Sequence, residues 1–209
     1  MTKVFFTSDL HFDHKRILEL CGRPFGTIEE MNKTLIENWN AKVAPGDTVY
    51  LLGDFAFAKT KERVTELLHR LHGTKHLIKG NHDHKIVCKA KGWNSVETRR
   101  DVRINGIPAP FVLDHFPIEI WNKRHYGSIH LFGHIHARTC ETEKQLRHNV
   151  SVDLNGFAPV SAEEIVAMME ARAGFAMDKE WGENFQASIL FDQTIPHFDK
   201  RERAYYEEE

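Results

Sequence analysis

Apolar side chains follow two rhythms along this chain, short unbroken runs and helical stripes, and their alternation predicts an α/β architecture. Lys3 to Ser8 reads as a buried strand, because Val4, Phe5 and Phe6 form a short apolar run that ends abruptly in polar residues. Thr27 to Val43 predicts a helix: Thr27 and Glu30 have capping-box spacing, and Ile28, Met31, Leu35, Ile36 and Trp39 fall on one stripe. Thr48 to Leu52 is a second short strand, closed by Gly53 and Asp54. Val64, Leu67, Leu68 and Leu71 then mark an amphipathic helix that Gly73 stops. The next strand, His76 to Lys79, runs straight into Gly80-Asn81-His82-Asp83. From Val49 to Lys79 the order strand, helix, strand is that of a parallel crossover unit, whose loops open on one sheet edge.

Beyond Glu97 the pattern changes. Val102 to Ile104 and Phe111 to Leu113, broken by Asn105-Gly106, predict a hairpin, so the sheet is mixed. Ser128 to Phe132 and Asn149 to Asp153 read as further strands. Ser161 opens a helix that runs to about Gly174, with Glu164 at the capping-box position and Val160 and Ile165 as a hydrophobic staple. Residues 175–209 have weak periodicity apart from Ala187 to Phe191, and end in Glu207-Glu208-Glu209. We expect one domain over residues 1–174 and an extension over 175–209, with no repeat and no low-complexity linker.

At 209 residues and 41% hydrophobic content the chain fills one ordinary core. Its formal charge of −2, from 28 basic and 30 acidic side chains, gives no chain-wide attraction for nucleic acid, so any affinity for phosphate is local. Met1 to Asp9 is too poor in apolar residues for a signal peptide, and no run reaches membrane-spanning length, so we expect a cytoplasmic protein. Cys21, Cys88 and Cys140 are widely spaced and odd in number, which predicts neither a disulfide framework nor a cysteine zinc site. Histidine, at 14 residues, is the compositional oddity. His69, His72, His76, His84, His125, His130, His148 and His197 stand in polar or charged surroundings and read as solvated side chains.

The chemistry lies in five separated segments, each placing oxygen or imidazole groups directly after an apolar run: Asp9-Leu10-His11, Gly53-Asp54, Gly80-Asn81-His82-Asp83, His115 and Gly133-His134-Ile135-His136. Alternate residues of an extended segment point the same way, so Asp9 with His11, and His134 with His136, each supply two groups to one site. Glycine before Asp54, Asn81 and His134 allows close backbone approach. Carboxylate, imidazole and amide oxygen together suit Mn²⁺, Fe or Zn²⁺ better than Ca²⁺, and there are too many such groups for one ion. His14 and Arg23 follow the first segment and have two readings each: to meet a substrate phosphate, Arg23 as a fork-like donor, or to be structural, Arg23 pairing with a surface carboxylate while Pro24 shapes the turn and His14 standing at the site rim or on a helix start. Lys85, Lys89 and Lys91, with Arg99, Arg100 and Arg103, form at most a modest basic rim and read as a solvated face.

In their order these segments resemble the calcineurin-like metallophosphoesterase superfamily, whose pattern is Asp-x-His, Gly-Asp, Gly-Asn-His-Asp/Glu, His and Gly-His-x-His; every element is present between Asp9 and His136. The resemblance implies a four-layer α/β fold, two mixed β-sheets packed as a sandwich and flanked by helices. It implies two divalent ions, Mn²⁺ foremost, with Fe, Zn²⁺ or Ni²⁺ as alternatives. Asp9, His11 and His136 would bind the first ion, Asn81, His115 and His134 the second, and Asp54 both. A hydroxide held between the ions would then hydrolyse a phosphomonoester or phosphodiester, with His82 as general acid to the leaving group and Asp83 holding its imidazole. The second segment continues Phe55-Ala56-Phe57-Ala58-Lys59, departing from the Gly-Asp-x-x-Asp-Arg-Gly of protein serine/threonine phosphatases. The chain is also short, with no obvious cap domain, and looks more like the compact bacterial and phage-type phosphoesterases, which implies a small phosphate-ester substrate, nucleotides among them. Two further readings are a catalytically silent scaffold of the same fold, which such scaffolds reach by losing the catalytic histidine, and a histidine-rich metal-binding module, which has no need of Asn81.

Overall fold

The computed structural model describes residues 2–138 and 146–173. The extension over 175–209, the helix end at Gly174, Cys140 and His197 lie outside the described residues. The first sheet has the order β4-β3-β2-β1-β9, with β1 at Val4–Thr7, β2 at Thr48–Leu51, β3 at Thr74–Ile78, β4 at Trp93–Glu97 and β9 at Val160–Ser161. All its pairings are parallel except β1 with β9. The second has the order β5-β6-β7-β8, with β5 at Arg99–Val102, β6 at Phe111–Asp114, β7 at Ile129–Phe132 and β8 at Arg147–Asn149. There β5 and β6 form the expected antiparallel pair, and the rest is parallel. Both sheets are mixed.

The two-residue period of a strand sorts these side chains between two cores. On β1 Phe5 faces one core and Phe6 the other, and β2 divides Val49 and Leu51 from Tyr50 in the same way. Phe5, Val49, Leu51 and Leu77 pack with Met31, Leu35 and Trp39 of α2 (Ile28–Lys42) and Val64, Leu67 and Leu68 of α3 (Lys61–Arg70). Phe6, Tyr50 and Ile78 pack with Phe111, Leu113, Ile129 and Leu131 of the second sheet, and with Ile165 and Met169 of α5 (Ala162–Ala173). The result is a sandwich of two mixed sheets flanked by helices. Two four-residue helices, α1 (Ile17–Leu20) and α4 (Lys85–Cys88), sit in the connections. Among the described residues no helix is long and apolar enough to cross a membrane.

Three histidines expected in solvent are buried instead: His76 at 8% exposure, His130 at 0% and His148 at 7%. The reason at His130 is that β7 is covered on both faces. Its Nδ1 lies 3.0 Å from the Val112 carbonyl and its Nε2 accepts the Ile118 N–H at 3.1 Å, beside Trp121. Those bonds require one donor and one acceptor, hence a neutral ring, and burial holds the proton affinity of His130 below its ordinary value. As pH falls below about 6.5 the unfolded chain therefore takes up this proton first, and stability falls with it. We expect the urea midpoint to drop between about pH 7.5 and about pH 5.5, and His130→Gln to show a lower midpoint at the higher pH but a smaller drop. An equal drop in the variant would remove His130 from the account.

Candidate metal centre

Backbone pairing continues past the ends of β1 and β2 and lays the first two motifs side by side. Asp9 N–H donates to Gly53 O at 3.0 Å, His11 N–H to Asp54 O at 3.0 Å and Phe12 N–H to Phe55 O at 2.9 Å. Gly133 N–H donates to His115 O at 3.0 Å, which ties the last two motifs together. Gly53 and Gly80 nearly touch: a Cβ on Gly53 would stand 2.7 Å from Gly80 Cα, and one on Gly80 would stand 2.7 Å from the Asp54 nitrogen. Only glycine permits that approach, and Gly53 also has φ 89°.

The expected extended geometry of the ligand segments is corrected. Asp9 (φ 57°), His11 (φ 52°), Asp54 (φ 60°), His134 (φ 69°) and His136 (φ 52°) all lie in the left-handed region. Each such residue costs on the order of 1–3 kcal/mol and persists where surrounding bonds over-determine it. Five of the eight non-glycine residues with positive φ among the described residues are ones singled out as metal ligands, the others being Asp13, Lys123 and Phe157.

These side chains converge. Ligand atoms of Asp9, His11 and His136 lie within 4.8 Å of one another, as do those of Asp9, Asp54 and His115. Asp54 Oδ2 stands 3.6 Å from His11 Nε2 and 3.6 Å from His115 Nε2, too long for hydrogen bonds. Asn81 Oδ1 lies 2.9 Å from both His115 Nε2 and His134 Nδ1. All seven proposed ligands thus belong to one cluster. Their far sides are tied: His115 Nδ1 meets the Leu52 carbonyl at 2.8 Å, His136 Nδ1 meets Asp153 Oδ2 at 2.8 Å, and His11 Nδ1 meets His14 Nδ1 at 3.3 Å. Such outer partners fix ring orientation and tautomer, as around metal-binding imidazoles generally. His11 Nε2 is buried and has no hydrogen-bond partner among the described residues. A buried imidazole nitrogen without a partner, facing a carboxylate oxygen across a gap, is what a cation site looks like without its cation.

Burial dominates the electrostatics. It pushes the Asp9 carboxyl up against the pull of His136 and His115, and it holds His11 far below its ordinary value, with His136 and Arg23 adding to the effect. His134 is lowered by burial and then by His115. At His136 burial pulls downward, but the Asp153 hydrogen bond and the Asp9 charge more than offset it. Carboxylate oxygens and imidazole nitrogens gathered in low dielectric form a donor set for a divalent cation.

Of the residues assigned to catalysis and substrate, His82 stands at the rim, half-buried, its ring 5.6 Å from the His11 ring and 5.0 Å from Phe57. Its backbone N–H donates to Asp54 Oδ1 at 2.9 Å. Asp83 does not hold the His82 ring, which corrects the expected dyad. Its Oδ2 accepts the N–H groups of Asp54 (2.8 Å) and Gly80 (2.9 Å), and its Oδ1 that of Phe55 (3.0 Å). The carboxylate staples two loops, the nearest unsatisfied donors having claimed it. His14 lies at the rim, stacked on Phe57 at 3.7 Å between centroids.

Arg23 is corrected outright. It is 4% exposed, and all five of its N–H donors are used inside the protein: Nε and Nη2 on Asp153 (2.8 and 2.9 Å), Nη1 on Leu10 O and Met31 Sδ, and Nη2 also on Asp9 O. Nothing is left for a phosphate. Asp153, which sequence reasoning missed as a site residue, joins Arg23 to His136; its position just after the apolar Val150 and Val152 was the available signal. The Cys21 thiol also lies within 4.8 Å of His136 and Asp153, but both Asp153 oxygens already serve Arg23. Phe57 and Phe116, 38% and 45% exposed, flank the cluster, Phe116 packing edge-on to His115 and His134. Neither was distinguishable from a core aromatic in the sequence.

No protein-family model matches the chain. It is 38% identical over 176 residues to an uncharacterized protein, MJ1445, of Methanocaldococcus jannaschii, covering 81% of this chain and 93% of that one. It is 30% identical over 193 residues to the Gene 66 protein of Mycobacterium phage L5, covering 79% and 93%. Among solved structures, the protein of unknown function AQ665 from Aquifex aeolicus superposes with a TM-score of 0.66 at 22% identity, covering 80% of this chain and 100% of that one, which shows a shared fold.

Proposed function

We propose, for a chain that belongs to the same family as MJ1445 of M. jannaschii and the Gene 66 protein of Mycobacterium phage L5, a metal-dependent hydrolysis of phosphate esters. One observation carries the reading: Asp54 Oδ2 stands 3.6 Å from each of two imidazole nitrogens, one of them buried without a hydrogen-bond partner among the described residues. The motif order from Asp9 to His136 supports it. Asp9, His11 and His136 would hold one ion, Asn81, His115 and His134 a second, and Asp54 both, with Mn²⁺ the foremost candidate and Fe, Zn²⁺ or Ni²⁺ compatible with the same donors. When bound, two such ions activate water near neutral pH and offset charge on phosphoryl oxygens.

The chain's own residues do the rest. An alkoxide leaves badly unless protonated, and His82, whose ring has no hydrogen bond to the protein among the described residues, would supply that proton. Asp83 is a positioning residue: it locks the Asp54 and Gly80 turns together. Asp153, the Leu52 carbonyl and His14 orient His136, His115 and His11. We place this unit in residues 1–174, and its free Cys21 and Cys88 fit a reducing, cytoplasmic compartment.

The test is a metal analysis of the purified protein, followed by chelation and Mn²⁺ re-addition while hydrolysis of bis(p-nitrophenyl) phosphate and p-nitrophenyl phosphate is followed. Activity should vanish on chelation and return with Mn²⁺, and Asp54→Asn should lose both metal and activity. Stoichiometric metal with no turnover on any phosphate ester would return the chain to the scaffold reading. Undiminished activity without metal would end the proposal.

A further inference from the structure

The surface beside the centre carries an unbalanced positive charge. A cleft of about 550 Å³, within the size range of small-ligand sites, is lined by Lys79, Asn81, Asp83, His84, Lys85 and Lys89 among others. Asn81 belongs to both features, because its Oδ1 is the atom that meets His115 and His134. The cleft therefore begins where the metal centre ends. Its three lysines are exposed, and none is in an ion pair among the described residues. The acidic group on the wall, Asp83, is 3% exposed and spends both oxygens on backbone amides. By contrast Arg99 and Arg100 of the supposed basic rim are paired with Asp114 and Glu97. Lys91 and Arg103 of that rim are in no ion pair among the described residues either, but they do not line the cleft; the three lysines that do line it give its wall a local positive charge in a chain whose overall charge is −2.

We infer that the substrate carries a second phosphate, held by Lys79, Lys85 and Lys89 while the reacting ester sits at the centre. The substrate class is a nucleotide bearing more than one phosphate, either a nucleoside polyphosphate or the end of a short single strand. Ammonium groups bind phosphate as point charges, and three of them line this one cleft. Phe116, exposed on the flank of His134, offers a stacking surface for the base. This inference rests on the phosphoesterase reading for the reacting phosphate, but binding by the lysines can be measured without turnover.

The experiment compares the Mn²⁺-loaded protein with Lys85→Gln/Lys89→Gln. The probes are bis(p-nitrophenyl) phosphate, ATP and a 5′-phosphorylated thymidine dinucleotide, each followed by hydrolysis and by equilibrium binding. We expect activity on the one-phosphate probe to stay within about twofold, which also certifies folding, while KM or Kd for at least one multiphosphate probe rises about tenfold or more. The salt dependence of multiphosphate binding should be weaker in the variant, because fewer charge pairs form. Response of ATP alone identifies a polyphosphate chain, and of the dinucleotide alone a strand end. Equal affinities of both proteins for both multiphosphate probes would overturn the inference. If no probe is hydrolysed the phosphoesterase reading fails separately, and lysine-dependent or lysine-independent binding still decides for or against the cleft.

Discussion

His82→Ala is expected to keep its metal and to lose turnover by about 10²–10⁴-fold, the usual worth of a general acid. The metal should stay because the ring takes no part in the ligand cluster, and because the bond His82 makes to Asp54 comes from its backbone N–H, which alanine retains. The loss should depend on the ester. A p-nitrophenolate leaves with little help, whereas a nucleoside or alkyl leaving group needs the proton, so the larger loss belongs to the poorer leaving group. Asp83→Asn separates the two roles assigned to that residue. If Asp83 held the imidazole, the variant would lower turnover at constant metal content. The structure predicts instead that an amide NH₂ set among the N–H donors of Asp54, Phe55 and Gly80 pushes the two loops apart and weakens metal binding by about 10–100-fold. Turnover and bound metal measured side by side decide this. Unchanged hydrolysis of an alkyl ester by His82→Ala would remove His82 from the chemistry.

What could be read from the chain was whatever is decided locally. The Thr27 cap accepts the Glu30 N–H at 3.1 Å, and Ser161 and Glu164 exchange the two bonds of a capping box at 3.1 and 2.7 Å, because each partner lies within one turn of the other. The strands β1, β2 and β7 announce themselves as apolar runs buried by both cores. Strand β4 was missed because it is an edge strand, half-exposed, and Trp93-Asn94-Ser95-Val96-Glu97 carries no clear period. Helices of four residues, α1 and α4, are too short to show a stripe. Asn149 to Asp153 was read as one strand, but β8 ends at Asn149, and Ser151 instead bridges Ser8 across to the first sheet. The motif residues were legible as a set because each follows an apolar run. Their partners across space were not. The fork of Arg23 was recognised as suited to a planar anion; that the anion is a carboxylate 130 residues away, rather than a phosphate, is a fact of topology.

That difference sets the second large effect. Arg23→Met should lower stability by about 3–5 kcal/mol, because it leaves the Asp153 carboxylate buried beside His136 without its countercharge. Burial raises the proton affinity of Asp153, and the hydrogen bonds and charges of His136 and Arg23 together pull it below its ordinary value. Its ionised form in the native protein therefore contributes stability that is present above the ordinary carboxylate range and lost as pH falls through and below about 3.9. Arg23→Met should lose that acid limb along with its stability at neutral pH. The Asp9 and Leu10 carbonyls, which Arg23 caps at 2.6 and 2.9 Å, would be released at the point where Asp9 is held at φ 57°, so metal affinity should drop as well. Arg23→Lys restores the charge but not the five-donor fork, and should recover only part of either loss. A phosphate-binding arginine would behave in the opposite way: both variants would fold normally, bind metal normally and show a raised KM. Urea midpoints, bound metal and KM measured on the same two proteins separate the two cases, and a normal midpoint with a raised KM would restore Arg23 to the substrate side of the site.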